Sequence, residues 1–167
     1  MNICGYYPES INEGSGIRAV IFISGCRHYC PGCFNPATWN FNCGHQFDSV
    51  EQQRIISEIQ SNPLLDGITL CGGDPFYSAN ELLPFVEKFR SACPDLTVWA
   101  YSGFTYEEII NDAVMRQLLE RCDVIIDGRF MEEFKDLTSP FRGSRNQRII
   151  DVKRSLLGCE IIELMDI

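Results

Sequence analysis

Apolar positions along this chain fall into two alternating patterns. Short continuous apolar runs occur at Ile17 to Ile23, Ile68 to Cys71, Leu96 to Tyr101 and Val124 to Ile126, each followed by glycine or a small polar residue. Runs of that length, apolar on both faces, read as buried strands. Between them lie stretches with helical spacing. Asp48 is placed to cap a helix running to about Gln60, with Val50, Ile55, Ile56 and Ile59 as its apolar stripe. A second helix is expected from Asn80 to Ser91, and a third from Thr105 to Arg121, opened by the capping-box pair Thr105 and Glu108. Arg148 to Val152 reads as a fifth strand, and Cys159 to Ile167 as extended chain.

Strands alternating with helices predict a parallel sheet with right-handed crossovers. The chain has 167 residues, with no internal repeat or linker, and a closed eight-fold barrel needs about 250. The expected fold is therefore α/β, a partial, open βα barrel of about five to six mostly parallel strands, formed as one domain over residues 1–167. Sites in such folds gather at the carboxyl ends of the strands. Four segments share that rim: Gly25 to Phe34, Gly72-Gly73-Asp74, Tyr101-Ser102-Gly103 and Asp127-Gly128-Arg129.

Composition narrows the classes. Hydrophobic content of 45% with 22% charged residues is that of a soluble globular protein, and the apolar runs are too short to span a bilayer. The first eight residues lack the basic-then-apolar shape of a secretory leader, so a cytoplasmic protein is expected. A net charge of −9 argues against general nucleic-acid binding, which depends on basic side chains at phosphates. Nine cysteines in a reducing compartment point to free thiols and metal ligation, and an odd number cannot pair completely.

The chemistry concentrates in Gly25-Cys26-Arg27-His28-Tyr29-Cys30-Pro31-Gly32-Cys33-Phe34. Three thiolates at a strand's end suit an iron–sulfur cluster. They leave one iron of a four-iron cluster without a protein ligand, open to a small molecule. Two other readings use the same residues. A structural zinc ion needs four ligands, and His28, Cys43 or His45 could complete the set. An electron carrier would likewise use the cluster, but normally fills every iron. Among the remaining cysteines, Cys71 and Cys122 read as packing residues, and Cys4, Cys93 and Cys159 as isolated. Cys43 stands out because Cys43-Gly44-His45 follows the cluster loop closely. The segment Arg142 to Arg154 is locally basic in an acidic protein and suits either a solvated edge or an anionic group.

The spacing of Cys26, Cys30 and Cys33 resembles the CxxxCxxC signature of radical S-adenosylmethionine enzymes. An ordered series narrows the resemblance: Gly14-Ser15-Gly16-Ile17-Arg18, Ser24-Gly25-Cys26, Cys30-Pro31-Gly32-Cys33-Phe34-Asn35, Thr38-Trp39, Leu70 to Pro75, Asp127-Gly128-Arg129-Phe130, Arg142-Gly143-Ser144 and Asn146-Gln147. Over residues 2 to 150 it is similar to the activating proteins of anaerobic ribonucleoside-triphosphate reductases. The chain departs from that pattern at Ser15, where proline is common, at Arg129, where lysine is common, and at Gly32, where the superfamily often has an aromatic.

The resemblance implies that Cys26, Cys30 and Cys33 hold a [4Fe–4S] cluster whose open iron binds S-adenosylmethionine. One-electron reduction, by flavodoxin or a similar donor, would release methionine and a 5′-deoxyadenosyl radical. The radical would take hydrogen from a glycine of the reductase partner. The resemblance further implies cofactor contacts from Gly32, Cys33, Phe34, Gly72, Gly73, Asp74, Asp127 and Arg129, with Asp74 facing the methionine ammonium. It leaves open whether Phe34 or backbone packs on the adenine. His28 and Tyr29 are expected to shield the cluster rather than ligate it, and Trp39, Trp99 and Tyr101 to belong to the core, although their rim positions would allow one of them to line the cavity. Rivals within the same chemistry are the activation of another glycyl-radical enzyme, such as one of the formate-lyase type, and a small radical enzyme acting on a purine-like metabolite.

Overall fold

The computed structural model describes residues 1–158 and 160–164. Cys159 and the last three positions, part of the stretch expected to be extended, lie outside the described residues. One seven-stranded sheet organises the chain, in the order β3-β1-β2-β4-β5-β6-β7. Its centre is the parallel set expected from the apolar runs: β2 (Arg18–Ile23), β4 (Gly67–Gly72), β5 (Thr97–Tyr101) and β6 (Val124–Asp127). The sheet is open. Among the described residues, no helix is long and apolar enough to cross a membrane.

The edges depart from expectation. β1 (Asn2–Ser10) lies antiparallel to β2 and carries β3 (His45–Gln46) on its other side, also antiparallel. Gly5 and Pro8 obscure β1 in the sequence, since both weaken a strand signal. Its register slips between Ile3 and Gly5, leaving Cys4 as the extra residue of a bulge. β7 (Arg148–Asp151) is antiparallel to β6 rather than parallel. A parallel return needs a crossover element. Residues 128–147 supply only a short 3₁₀ turn at Glu132–Phe134, so the chain doubles back.

Helices α1 (Ser49–Ser61), α2 (Ala79–Ala92), α3 (Tyr106–Asn111), α4 (Ala113–Leu119) and α5 (Val152–Gly158) complete the layer. Asp48 caps α1 by accepting from the Val50 and Glu51 N–H groups. Val50 itself is exposed, so the buried stripe is Ile55, Ile56 and Ile59. The helix expected from Thr105 to Arg121 is broken. Asp112 adopts an extended conformation, ends α3 and caps α4 through its carboxylate. A side chain that caps competes with continuing the helix.

Alternation along the strands separates two faces. Ile21, Ile23, Ile68, Leu70, Val98, Ala100 and Ile125 point to the helices and meet Ile55, Ile59, Leu82, Phe85, Phe89 and Leu118 in the main core. The opposite face carries a smaller cluster of Trp99, Val124, Ile126 and Ile149. Above that cluster, at the carboxyl ends of the parallel strands, the sheet opens into a cavity.

Candidate active site

The cavity has a volume of about 640 Å³. Such a size suits a small-molecule site. Cys26, Cys30 and Cys33 all line it, together with Phe34, Gly72, Gly73, Asp74, Ser102 and Gly103. The loop holding the thiols leaves β2 through Gly25 at φ +102° and turns again at Tyr29 and Gly32, also at positive φ. It is held from two sides. The N–H groups of Gly25 and Cys26 donate to the carbonyls of Thr38 and Trp39 at 2.7 and 3.1 Å. From the other side, Asp74 N–H donates to the Gly25 carbonyl at 2.9 Å, and Gly73 N–H donates to the Ile23 carbonyl at 2.7 Å.

This explains the glycines of the second motif. A Cβ on Gly73 would stand 2.4 Å from the Gly25 carbonyl oxygen, and one on Gly72 would stand 2.8 Å from the Phe22 Cα. Close approach of backbone to backbone requires glycine at these positions, and both also line the cavity. Gly103 serves a neighbouring contact, since its Cβ would fall 2.4 Å from the His28 ring.

Asp74 is a hub. Its carboxylate, 1% exposed, accepts from Phe76 N–H at 2.9 Å, Gly103 N–H at 2.9 Å, and the Ser102 hydroxyl at 3.0 and 3.1 Å. His28 Nε2 lies 2.9 Å from the same group. A carboxylate has about four lone-pair directions, and these partners fill them. The expectation that Asp74 accepts the methionine ammonium therefore meets a carboxylate already saturated by protein donors. Its observed work is to join the cysteine loop, its own loop and the loop after β5. His28 is packed edge-on against Phe104 and beside Tyr77.

The rim residues divide further. Phe34 sits at the mouth, 53% exposed, against Phe130 at 5.1 Å between ring centroids. Gly32 turns the loop but does not face the cavity. Asp127 and Arg129 do not face it either. Asp127 is buried and accepts from Tyr106 N–H at 2.6 Å and from Arg148 Nε at 3.0 Å, which engages its carboxylate in an internal ion pair. Arg129 is exposed, near enough to Cys30 to favour its thiolate. Tyr101 lines the cavity and donates to the Phe141 carbonyl at 2.7 Å, whereas Trp99 stays in the core as expected.

One contribution escaped the sequence, and another comes from a segment it left open. β1 brings Tyr7, and the turn after it brings Asn12 and Glu13, to the cavity wall. Arg142, from the locally basic segment, also lines the wall, and its buried Nε has no hydrogen-bond partner. Arg148 and Lys153 of that segment are instead paired with Asp127 and Asp123.

The thiols suit a cluster rather than a single ion. Burial pushes the Cys26 thiol up to about 11, with Asp74 and the other two cysteines adding to the rise. Burial likewise raises Cys30, and Cys33 adds to it. Ligation must therefore displace protons, which iron does by binding the thiolate. Among the described residues, no group of three histidine, cysteine or acidic side chains is placed to hold one metal ion. A four-iron cluster asks for less convergence, because each thiolate binds a different iron. Two of the side chains that could have completed a zinc site are engaged elsewhere, His28 with Asp74 and His45 with Glu51 at 3.3 Å.

Comparison with known proteins gives the same outline. Residues 12–150 match the family model of a 4Fe-4S single cluster domain. The chain is similar to the anaerobic ribonucleoside-triphosphate reductase-activating protein of Haemophilus influenzae, at 41% identity over 152 residues, 89% of this chain and 97% of the relative. It is 37% identical to the protein of that name from Escherichia coli K12 over 150 residues, 88% of this chain and 96% of the relative. The one from enterobacteria phage T4 is 35% identical over 151 residues, 89% of this chain and 93% of the relative.

Proposed function

The chain belongs to the anaerobic ribonucleoside-triphosphate reductase-activating proteins, with a 4Fe-4S single cluster domain over residues 12–150, and from that premise we propose that it is the enzyme that installs a glycyl radical on such a reductase. The observation that carries this reading is the convergence of Cys26, Cys30 and Cys33 on one cavity, beside a loop shaped by Gly72, Gly73 and Asp74. When bound, a [4Fe–4S] cluster and S-adenosylmethionine supply the electron transfer and the carbon-centred radical that removes hydrogen from glycine.

The chain's own residues supply the rest. Cys26, Cys30 and Cys33 would hold the cluster. Asp74 is a positioning residue: it locks His28, Ser102 and Gly103 around the cofactor's place. Arg142, a wall residue whose buried Nε has no hydrogen-bond partner, would supply a cation for the carboxylate of the methionine moiety. Phe34 and Phe130 border the mouth, where an adenine can stack. Leu137, 73% exposed, and Phe34 give the mouth an apolar lip suited to an inserted backbone loop of the reductase. Cys30 and Cys33 are only partly buried, so a cluster held by them would be within reach of a one-electron donor of the flavodoxin type.

The test is electron paramagnetic resonance on the anaerobic mixture of reduced protein, S-adenosylmethionine and reductase. A glycyl signal and 5′-deoxyadenosine are expected with the wild type. Neither is expected from Cys26→Ser, Cys30→Ser or Cys33→Ser, while Cys43→Ala should leave both in place. Loss of the iron signal in Cys43→Ala, or a protein carrying zinc without sulfide, would overturn the assignment.

A further inference from the structure

Cys4 was expected to be isolated, and Cys43 to matter through its nearness in sequence to the cluster loop. The fold brings them together. β1 and β3 pair through Asn2 with Gln46 and Ile3 with His45, so the chain continues past Gly44 to lay Cys43 beside the β1 bulge. Gly44, at φ +70°, allows the approach: a Cβ there would stand 2.7 Å from the Cys4 Cα. Cys43 is near enough to add to the rise of the Cys4 pKa. Ser24 brackets them, its hydroxyl 3.1 Å from the Cys4 sulfur and donating to the Cys43 carbonyl at 2.8 Å. Neither thiol is fully buried, so a small reagent has access.

The position of the pair gives it meaning. Residues 34–43 clasp the cluster loop, through the Thr38 and Trp39 carbonyls, the Tyr29–Trp39 ring contact and Phe41 lying against Gly25. Cys43 ends that clasp, and Cys4 lies on the neighbouring strand.

We propose that Cys4 and Cys43 form a redox-active dithiol that closes to a disulfide on exposure to a low-molecular-weight disulfide, bolting the clasp of the cluster loop to the first strand. Burial, and then the neighbouring Cys43, push the Cys4 thiol up to about 11, which makes Cys4 the resolving partner. Cys43 attacks one sulfur of the small disulfide, breaking its S–S bond and releasing one thiol. The Cys4 sulfur, losing its proton to water, then attacks the Cys43 sulfur and releases the second thiol. Two protein thiols are oxidised and one small disulfide is reduced to two thiols.

The cluster-loaded protein, treated anaerobically with oxidised glutathione, alkylated and digested, tests this. A cross-linked peptide joining Cys4 to Cys43 is expected as the main product, reversed by dithiothreitol. In Cys4→Ser, Cys43 should carry a stable glutathione adduct, and in Cys43→Ser, Cys4 should remain a free thiol. Pairing of Cys43 with Cys26, Cys30 or Cys33, or full alkylation of both Cys4 and Cys43, would overturn the proposal. Because the readout is a peptide mass, the result does not depend on radical chemistry.

Discussion

The two ends of the parallel strands treat buried charge in opposite ways. At the amino ends, Arg18 is 1% exposed and donates to Thr69 Oγ1, Thr97 Oγ1 and the carbonyls of Ser15, Ile68 and Thr97, at 2.6 to 3.2 Å. Its guanidinium also lies 5.1 Å from the Trp99 ring centroid. None of those partners is a carboxylate. Burial lowers the Arg18 pKa to about 10, and the group stays charged at neutral pH. At the carboxyl ends, Asp74 is equally buried, but its partners come from three loops rather than from strands. One charge plugs the sheet; the other aligns the surroundings of a site. The glycines follow the same division, since a Cβ on Gly14 would meet the Arg18 side chain at 2.7 Å, while one on Gly73 would meet the cysteine loop.

The comparison breaks most readily at Arg18. Arg18→Met leaves five oxygens without their donor and should cost on the order of 3 kcal/mol or more, read from the urea midpoint. Radical yield per folded, cluster-loaded molecule should hold. A fall in that yield with unchanged stability would erase the distinction between the ends. Gly73→Ala should do the reverse, cutting 5′-deoxyadenosine formation by about 100-fold through a shift of the cysteine loop, with a stability loss of about 1–3 kcal/mol.

Asp74→Ala strands the Phe76 and Gly103 N–H groups and should cost about 2–3 kcal/mol. Asp74→Asn keeps the shape and should recover part of the stability. If Asp74 instead served mainly the cofactor, both variants would lose S-adenosylmethionine affinity with little change in midpoint. Arg148→Met removes the partner of buried Asp127 and should cost about 1–3 kcal/mol, with the cavity intact.

The smallest effect is in pH. Hydrogen bonds from Arg148 hold Glu107 down to about 2, and those from Arg54 do the same for Glu51. Both carboxyls sit below their unfolded values. Their contribution is therefore complete above the ordinary carboxylate range and is lost as pH falls toward about 2. Neither group is deeply buried, so the melting temperature should drop only slightly between about pH 6 and about pH 3 beyond what Glu107→Gln and Glu51→Gln lose already.

What was legible in the sequence was whatever is local. Apolar runs marked the four parallel strands, Asp48 and the Thr105–Glu108 pair marked helix starts, and the cysteine spacing marked the site. What depends on distant partners was hidden. Nothing near Asp127 shows that Arg148 will neutralise it, because the antiparallel return of β7 makes that contact. The saturation of Asp74 needs Ser102, Gly103 and His28, from two other loops. β1 was hidden because Gly5 and Pro8 mask a strand that its neighbours stabilise, and with it went the closeness of Cys4 to the Cys43-Gly44 segment.

The backbone bonds that frame the cysteine loop run from protein to protein: Gly25 and Cys26 to Thr38 and Trp39 on one side, Asp74 to Gly25 on the other. The three thiols are thus tied to residues on both flanks through the main chain, so a substitution that shifts either flank should be felt at the cysteines whatever side chain it replaces.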